Sequence, residues 1–224
     1  MGQLVEFPSN GHTCRGYLAA PAAGRGPAVV VIQEWWGLVP HIEDLVERFA
    51  KEGFLAIAPD LYHGKKTTSP DEAGRMLMEL DGDRAERDIA GAGSYLLSRP
   101  DCASKKYGVV GFCMGGALAQ YTAAKESSVG AGVSFYGGFK QIPIPWPNLA
   151  APLLLIYGEN DGSVTPDSGR KLAGELTALG KKVELTIYPN AGHAFFNDSR
   201  PQVYNKTASE DAWKKMLNLF RANL

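Results

Sequence analysis

Hydrophobic positions fall into short continuous runs that alternate with segments of helical spacing. The continuous runs predict buried strands, which we place at residues 28–32, 54–58, 107–112, 129–136, 153–157 and 183–188. Between these runs the apolar residues recur every three or four positions, as do Ile42, Leu45 and Phe49. That spacing predicts helices near 41–52, up to 77, 89–97, 115–125, 166–179 and 208–220. Uniformly apolar strands separated by helices are typical of a parallel sheet covered on both faces.

The N-terminal segment has a different pattern. Two short strands, at 4–7 and 15–19, flank the turn signal Ser9-Asn10-Gly11 and predict a hairpin. Thr165 and Pro166 are predicted as the cap and first residue of the fifth helix. Because the chain has no repeat and no linker, we expect one α/β domain over residues 1–224, with a mostly parallel central sheet and helices on both faces.

Composition narrows the class of partner. The chain has 23 basic and 24 acidic residues and contains no run of basic residues. We therefore expect no binding to nucleic acid. The longest apolar run, residues 28–32, is too short to cross a membrane. Three cysteines (Cys14, Cys102 and Cys113) without CxxC spacing predict neither a disulfide framework nor a structural zinc site, and favour a reducing, cytoplasmic location.

The segment 111–116, Gly-Phe-Cys-Met-Gly-Gly, carries the first candidate chemistry. It matches the G-x-S-x-G nucleophile elbow with cysteine in place of serine, and it lies between a predicted strand and a predicted helix. Flanking glycines allow the sharp turn, and the helix N-terminus favours a thiolate and offers N–H groups to an oxyanion. We therefore predict Cys113 as a nucleophile.

Chain order selects its partners. Triads on such folds run nucleophile, acid, histidine, and His193 is the only histidine that follows Cys113. The acid should lie between them, just after a strand. We choose Asp161, with Glu159 as the second choice, whereas Asp167 is explained as first-turn helix charge.

These motifs resemble those of the dienelactone hydrolase family (carboxymethylenebutenolidases), thiol members of the α/β-hydrolase fold. The likeness spans nearly the whole chain and rests on five segments: Gln33-Glu34 with Gly37, Pro59-Asp60-Leu61-Tyr62, the elbow at Cys113, Asp161, and Ala191-Gly192-His193. The resemblance implies that Glu34 takes the thiol proton when substrate binds. It also implies an oxyanion hole at the backbone N–H groups of Trp35 and Met114.

Substrate-binding residues are harder to assign. The resemblance implies arginines that hold a substrate carboxylate, which here makes Arg75 one candidate anchor. The second arginine of the family pattern is replaced by the Phe-Phe-Asn segment 195–197, and Arg200 is its substitute candidate. Aromatic side chains near the predicted catalytic edge could wall an apolar pocket, and we select Trp36, Tyr136 and Phe195.

The sequence thus predicts a hydrolase of small esters or lactones that forms an acyl-cysteine and needs no metal and no organic cofactor. Two alternatives stay open: a general carboxylesterase or thioesterase for neutral acyl groups, and a non-catalytic domain that binds a small ligand. We expect a small-molecule partner, no nucleic acid, no membrane, and a monomer or small homo-oligomer.

Overall fold

The computed structural model describes residues 2–138 and 143–224. Its eight strands are β1 (Gln3–Ser9), β2 (His12–Ala19), β3 (Gly26–Ile32), β4 (Leu55–Pro59), β5 (Cys102–Phe112), β6 (Val129–Phe135), β7 (Leu153–Gly158) and β8 (Val183–Tyr188). The helices are α1 (Pro40–Lys51), α2 (Pro70–Glu79), α3 (Gly82–Ser98), α4 (Met114–Lys125), α5 (Pro166–Ala178) and α6 (Lys206–Asn223). Within the described residues, no helix has both the length and the apolarity that a membrane span requires.

All eight strands form one sheet in the order β1-β2-β4-β3-β5-β6-β7-β8. Strand β2 pairs antiparallel with both β1 and β4, and every other pairing is parallel. The prediction of a mostly parallel sheet within an α/β fold is therefore confirmed.

Strand β3 shows how the sequence covers both faces of the sheet. Alternate side chains of a strand point to opposite faces, so Val30 and Ile32 pack in one core cluster while Val29 and Val31 pack in another. The first cluster contains residues of α3 and α4, and the second contains residues of α1 and α6. Each such aliphatic side chain stabilises the fold by roughly 1.5–3 kcal/mol when fully buried. Burial on both faces explains why these strands are continuously apolar.

Two local predictions need correction. Strand β5 starts at Cys102, five residues before the predicted start. The apolar pattern does not predict this extension, because residues 103–106 are polar or exposed. Thr165 does occupy the N-cap position of α5, but its side chain makes no capping hydrogen bond. The strand thus extends beyond its apolar run, and the helix begins at the predicted residue without the predicted side-chain bond.

The topology brings four predicted site residues to one edge. Glu34, Cys113, Asp161 and His193 follow the carboxyl ends of β3, β5, β7 and β8, respectively. Since these strands are parallel, their carboxyl ends lie at the same edge of the sheet, where ligands bind in folds of this kind.

Candidate active site

Cys113 occupies a strained turn between β5 and α4. Its backbone has φ 57° and ψ −117°, a region that residues with a side chain seldom adopt. A Cβ on Gly111 would lie 1.9 Å from the carbonyl oxygen of Gly115, and one on Gly115 would lie 2.4 Å from that of Gln33. The glycines are therefore required by contact with backbone, as the elbow pattern predicts. The turn is held by the Cys113 N–H, which donates to the Phe135 carbonyl at 3.0 Å.

His193 is paired with Asp161. The His193 Nδ1 and Asp161 Oδ2 atoms are 2.7 Å apart, and the carboxylate is fully buried. The other oxygen, Oδ1, accepts hydrogen bonds from the backbone N–H groups of Ser163 and Val164, at 2.8 and 2.9 Å. These bonds fix the carboxylate and so fix the imidazole that it orients. Glu159, the second choice for the acid, instead accepts a bond from the Asn190 N–H.

The environment of His193 favours its charged form. Burial by itself lowers the pKa of His193, but the hydrogen bonds to Asp161 and to the Cys113 sulfur raise that pKa to about 10. An imidazole with this pKa is protonated at neutral pH. It can therefore stabilise a thiolate and donate a proton to a leaving group.

Glu34 is buried beside an amide that the sequence interpretation did not recognise as a site residue. The Asn197 Nδ2 donates to Glu34 Oε2 at 2.9 Å, and Asn197 Oδ1 in turn accepts from the N–H and the hydroxyl of Ser199. Burial raises the pKa of Glu34, and the Asn197 hydrogen bond together with the charges of Arg200 and His193 offsets part of that rise. The only sequence signal for Asn197 is its position in the segment that replaces the family's second arginine.

Two backbone N–H groups near the elbow are free to bind an oxyanion. Trp35 follows β3, and Met114 is the first residue of α4, where a helix leaves its N–H groups without internal partners. Across residues 2–138 and 143–224, neither N–H donates to an acceptor. The arrangement is compatible with the oxyanion hole that the family resemblance implies.

A cavity of about 540 Å³ lies beside Asn197, the hydrogen-bond partner of Glu34, and Cys113, Asp161 and His193 are not among its lining residues. It is lined by Trp36, Val39, Pro40, His41, Thr67, Thr68, Pro70, Asn197, Ser199, Arg200 and Gln202. The guanidinium carbon of Arg200 lies 5.7 Å from the centre of the Trp36 ring, a distance at which a cation and an indole attract. Of the two candidate anchors, Arg200 contributes to this cavity, whereas Arg75 is exposed on α2 and is not among its lining residues.

The remaining predicted aromatics differ in position. Tyr136 has a left-handed backbone with φ 40°, and its ring centre lies 4.9 Å from that of His193. Its buried hydroxyl has no hydrogen-bond partner among the described residues. Phe195 has no exposed surface and packs against Tyr136 and Tyr188. The structure thus gives Phe195 a place in the core behind the site rather than in a pocket wall.

Comparison with known proteins identifies the family. Residues 14–224 match the model of the dienelactone hydrolase family. The chain is 38% identical to "Protein usf" of Aquifex pyrophilus and 36% identical to a "Putative carboxymethylenebutenolidase" of Aquifex aeolicus, with full coverage of both chains in each case.

A solved structure extends the likeness to three dimensions. The crystal structure of a "Putative Dienelactone Hydrolase" from Klebsiella pneumoniae superposes with a TM-score of 0.90 at 30% identity and covers 99% of this chain and 98% of that one. The match to the family model and the relatives of equal length agree with this superposition. The chain is therefore an ester hydrolase of the dienelactone hydrolase family, with the α/β-hydrolase fold.

Proposed function

We propose that the protein hydrolyses small esters or lactones through an acyl-cysteine formed on Cys113. The observation that carries this proposal is the position of His193, which is bonded to the buried Asp161 and close enough to Cys113 for the sulfur to raise its pKa. A nucleophile, a base and a residue that orients the base are the parts that covalent acyl transfer requires.

In the first half of the reaction, Cys113 loses its thiol proton to Glu34. Burial raises the pKa of Glu34, which makes its carboxylate a better proton acceptor than an exposed one. The thiolate attacks the ester carbonyl, and the N–H groups of Trp35 and Met114 hold the oxyanion. The carbon–oxygen bond then breaks, and His193 gives its proton to the leaving oxygen. In a lactone this oxygen stays attached to the acyl group.

In the second half, water replaces the thiolate. The neutral His193 takes a proton from water, and the resulting hydroxide attacks the acyl-cysteine carbonyl. The carbon–sulfur bond breaks, the acid is released, and the thiolate recovers its proton from Glu34. Asp161 does not change its protonation state; it stabilises the imidazolium at the two points where His193 carries charge.

The experiment compares wild type and Cys113→Ala on a dienelactone and on p-nitrophenyl acetate. We expect the variant to lose about 10³-fold or more in kcat on both substrates, because the covalent route is removed. Cys102→Ala is the matched control, since Cys102 is buried at the opposite end of the same strand. Mass spectrometry of quenched wild type should find the acyl group on the Cys113 peptide. Unchanged turnover in Cys113→Ala would reject the thiol mechanism.

Arg200 is proposed as the anchor for a substrate carboxylate. It is half-buried, it lines the cavity beside Asn197, and its charge acts on Glu34. Arg200→Ala should therefore raise KM for a carboxylate-bearing dienelactone roughly tenfold, since a charge-assisted hydrogen bond contributes about 1.5–3 kcal/mol, and should leave KM for p-nitrophenyl acetate nearly unchanged.

Arg75→Ala is the control for this test because its exposed side chain lies outside the cavity. The second candidate function, an esterase or thioesterase for neutral acyl groups, is favoured by the apolar side chains of the cavity, among them Trp36, Val39 and Pro40. Equal effects of Arg200→Ala on the charged and the neutral substrate would support that second function.

A further inference from the structure

Four side chains with metal-binding atoms meet outside the candidate active site. His12 and Cys14 are alternate residues of β2, so their side chains share one face of the sheet. His63 lies in the turn that follows β4, and Asp88 lies in the middle of α3. One donor atom from each residue lies within 4.8 Å of the donor atoms of the other three. Three separate elements therefore converge on one point.

The spacing of the donor atoms fits a tetrahedral ion. Zn–S bonds of about 2.3 Å and Zn–N or Zn–O bonds of about 2.0–2.2 Å place the corners of a tetrahedron about 3.3–3.7 Å apart. His12 Nε2 lies 3.2 Å from Cys14 Sγ and 3.4 Å from Asp88 Oδ1. His63 Nε2 lies 3.7 Å from Asp88 Oδ2. These three separations, of which the two to Asp88 involve different carboxylate oxygens, are close to such edges, and all donor atoms lie within 4.8 Å of one another, so a small inward shift of the side chains would complete the site.

An unpartnered oxygen points independently to a ligand. The Asp88 side chain is 2% exposed, and its Oδ2 has no hydrogen-bond partner among the described residues, although Ser9 donates to Oδ1. A buried carboxylate oxygen without a partner is destabilising unless a cation or a proton satisfies it. The nearest cationic candidate, His63, is too distant to donate a hydrogen bond at 3.7 Å.

The second nitrogen of His12 is bonded in the manner of a metal ligand. His12 Nδ1 lies 3.3 Å from the backbone carbonyl of Asn10. A neutral ring that donates there presents an unprotonated Nε2 to Cys14 and Asp88. Metal-binding histidines commonly donate their other N–H to a carbonyl in this way, which fixes the tautomer and the ring.

We propose that His12, Cys14, His63 and Asp88 form a structural Zn²⁺ site. A set of one sulfur, two imidazole nitrogens and one carboxylate oxygen suits zinc, whereas Mg²⁺ and Ca²⁺ prefer oxygen ligands alone. On binding, Cys14 loses its thiol proton to solvent and ligates as the thiolate. Cysteine spacing could not predict this site, because its ligands are spread over 77 positions of the chain, from 12 to 88, with a single cysteine.

The proposed site can be reached from solvent, and an ion bound there would link separate elements of the fold. His63 is the exposed member, and with Asp88 it lines a surface cavity of about 230 Å³ through which an ion can reach the cluster. The ion would join the β1–β2 hairpin to α3 and to the turn after β4. That turn carries Tyr62, whose hydroxyl donates to Met114 Sδ at 3.2 Å, so the site stabilises a segment that contacts the elbow.

The test uses the full chain after treatment with a chelator. Co²⁺ is the spectroscopic probe, since thiolate ligation gives a charge-transfer band in the near ultraviolet, and Zn²⁺ affinity is measured by competition with a chromophoric chelator. We expect one Zn²⁺ per chain with a dissociation constant of about 1 μM or tighter, and a Tm that rises when Zn²⁺ is added.

Variants separate this site from the active site. Cys14→Ser should lose the Co²⁺ charge-transfer band, and Cys113→Ala should keep it. His63→Asn should weaken Zn²⁺ binding by at least about tenfold. His63 is exposed and has φ 52°, a conformation that asparagine tolerates, so this variant should fold even if Cys14→Ser does not. The proposal is overturned if wild type binds less than one equivalent, if Cys14→Ser retains the band, or if His63→Asn binds Zn²⁺ as tightly as wild type.

Discussion

At the scale of single residues, Glu34 shows a conflict between stability and chemistry. Its side chain is buried and has one described hydrogen-bond donor, Asn197. An ionised carboxylate in such surroundings is destabilising, and this is the physical cause of its raised pKa. A neutral glutamine would avoid this cost, so the presence of a glutamate here is consistent with a role in proton transfer.

Glu34→Gln should therefore increase stability at neutral pH while it decreases activity. Because the folded pKa of Glu34 is above the unfolded value near 4.5, the folded state binds the extra proton, and wild-type stability falls as pH rises from about 4.5 towards the folded pKa. The variant avoids this loss, so we expect it to be more stable than wild type at pH 7, and we expect the gain to disappear below pH 4. Urea unfolding at several pH values measures it.

Glu79→Gln, at an exposed position of α2, is the control for Glu34→Gln and should show no such pH-dependent gain. Lower stability of Glu34→Gln at pH 7 would contradict the interpretation. It would mean that the charged carboxylate is held by favourable interactions with Arg200 and His193 that exceed its desolvation.

At the scale of elements, the elbow depends on how closely α4 approaches the end of β3. A Cβ on Gly115 would lie 2.4 Å from the Gln33 carbonyl oxygen and 2.6 Å from that of Ile32. Both contacts are to backbone, which cannot rotate away as a side chain could. The first turn of α4 is thus positioned by the same strand end that leads to Glu34 and Trp35.

Gly115→Ala should destabilise the protein by about 2–3 kcal/mol and lower kcat, because the added methyl pushes α4 away from β3 and shifts the N–H of Met114. Gly174→Ala is the matched control. Gly174 is also helical, but a Cβ there meets no atom within 4 Å, so this change should stabilise the protein by about 0.4–1 kcal/mol. Denaturant unfolding with an ester assay measures both. Similar stability of the two variants would contradict this prediction, because it would show that α4 can move without a loss of folding stability.

At the scale of the whole molecule, the features that the sequence predicts are those determined by short segments of the chain. Continuous apolar runs locate the strands, and chain order leaves His193 as the only partner of Cys113, so the sheet and the spatial approach of these residues follow from short segments. The Asp161 loop is found in the same way, because it directly follows β7.

What the sequence does not predict depends on contacts between distant segments. Glu34 and Asn197 are 163 positions apart, and nothing near either residue predicts their hydrogen bond. Phe195 follows His193 closely, yet the chain turns it into the core, while Arg200 reaches the cavity. The side-chain cluster at Cys14 and Asp88 likewise exists only because the hairpin packs on α3.

The contact between Arg200 and Trp36 also gives the protein an optical reporter. An indole responds in its emission to the polarity and charge around it, and this one lines the cavity with a guanidinium 5.7 Å from its ring centre. The Trp35 ring lies edge-on to the Trp36 ring, with 5.0 Å between the ring centres. Occupancy of the cavity can therefore be followed by intrinsic fluorescence, without a label and without turnover.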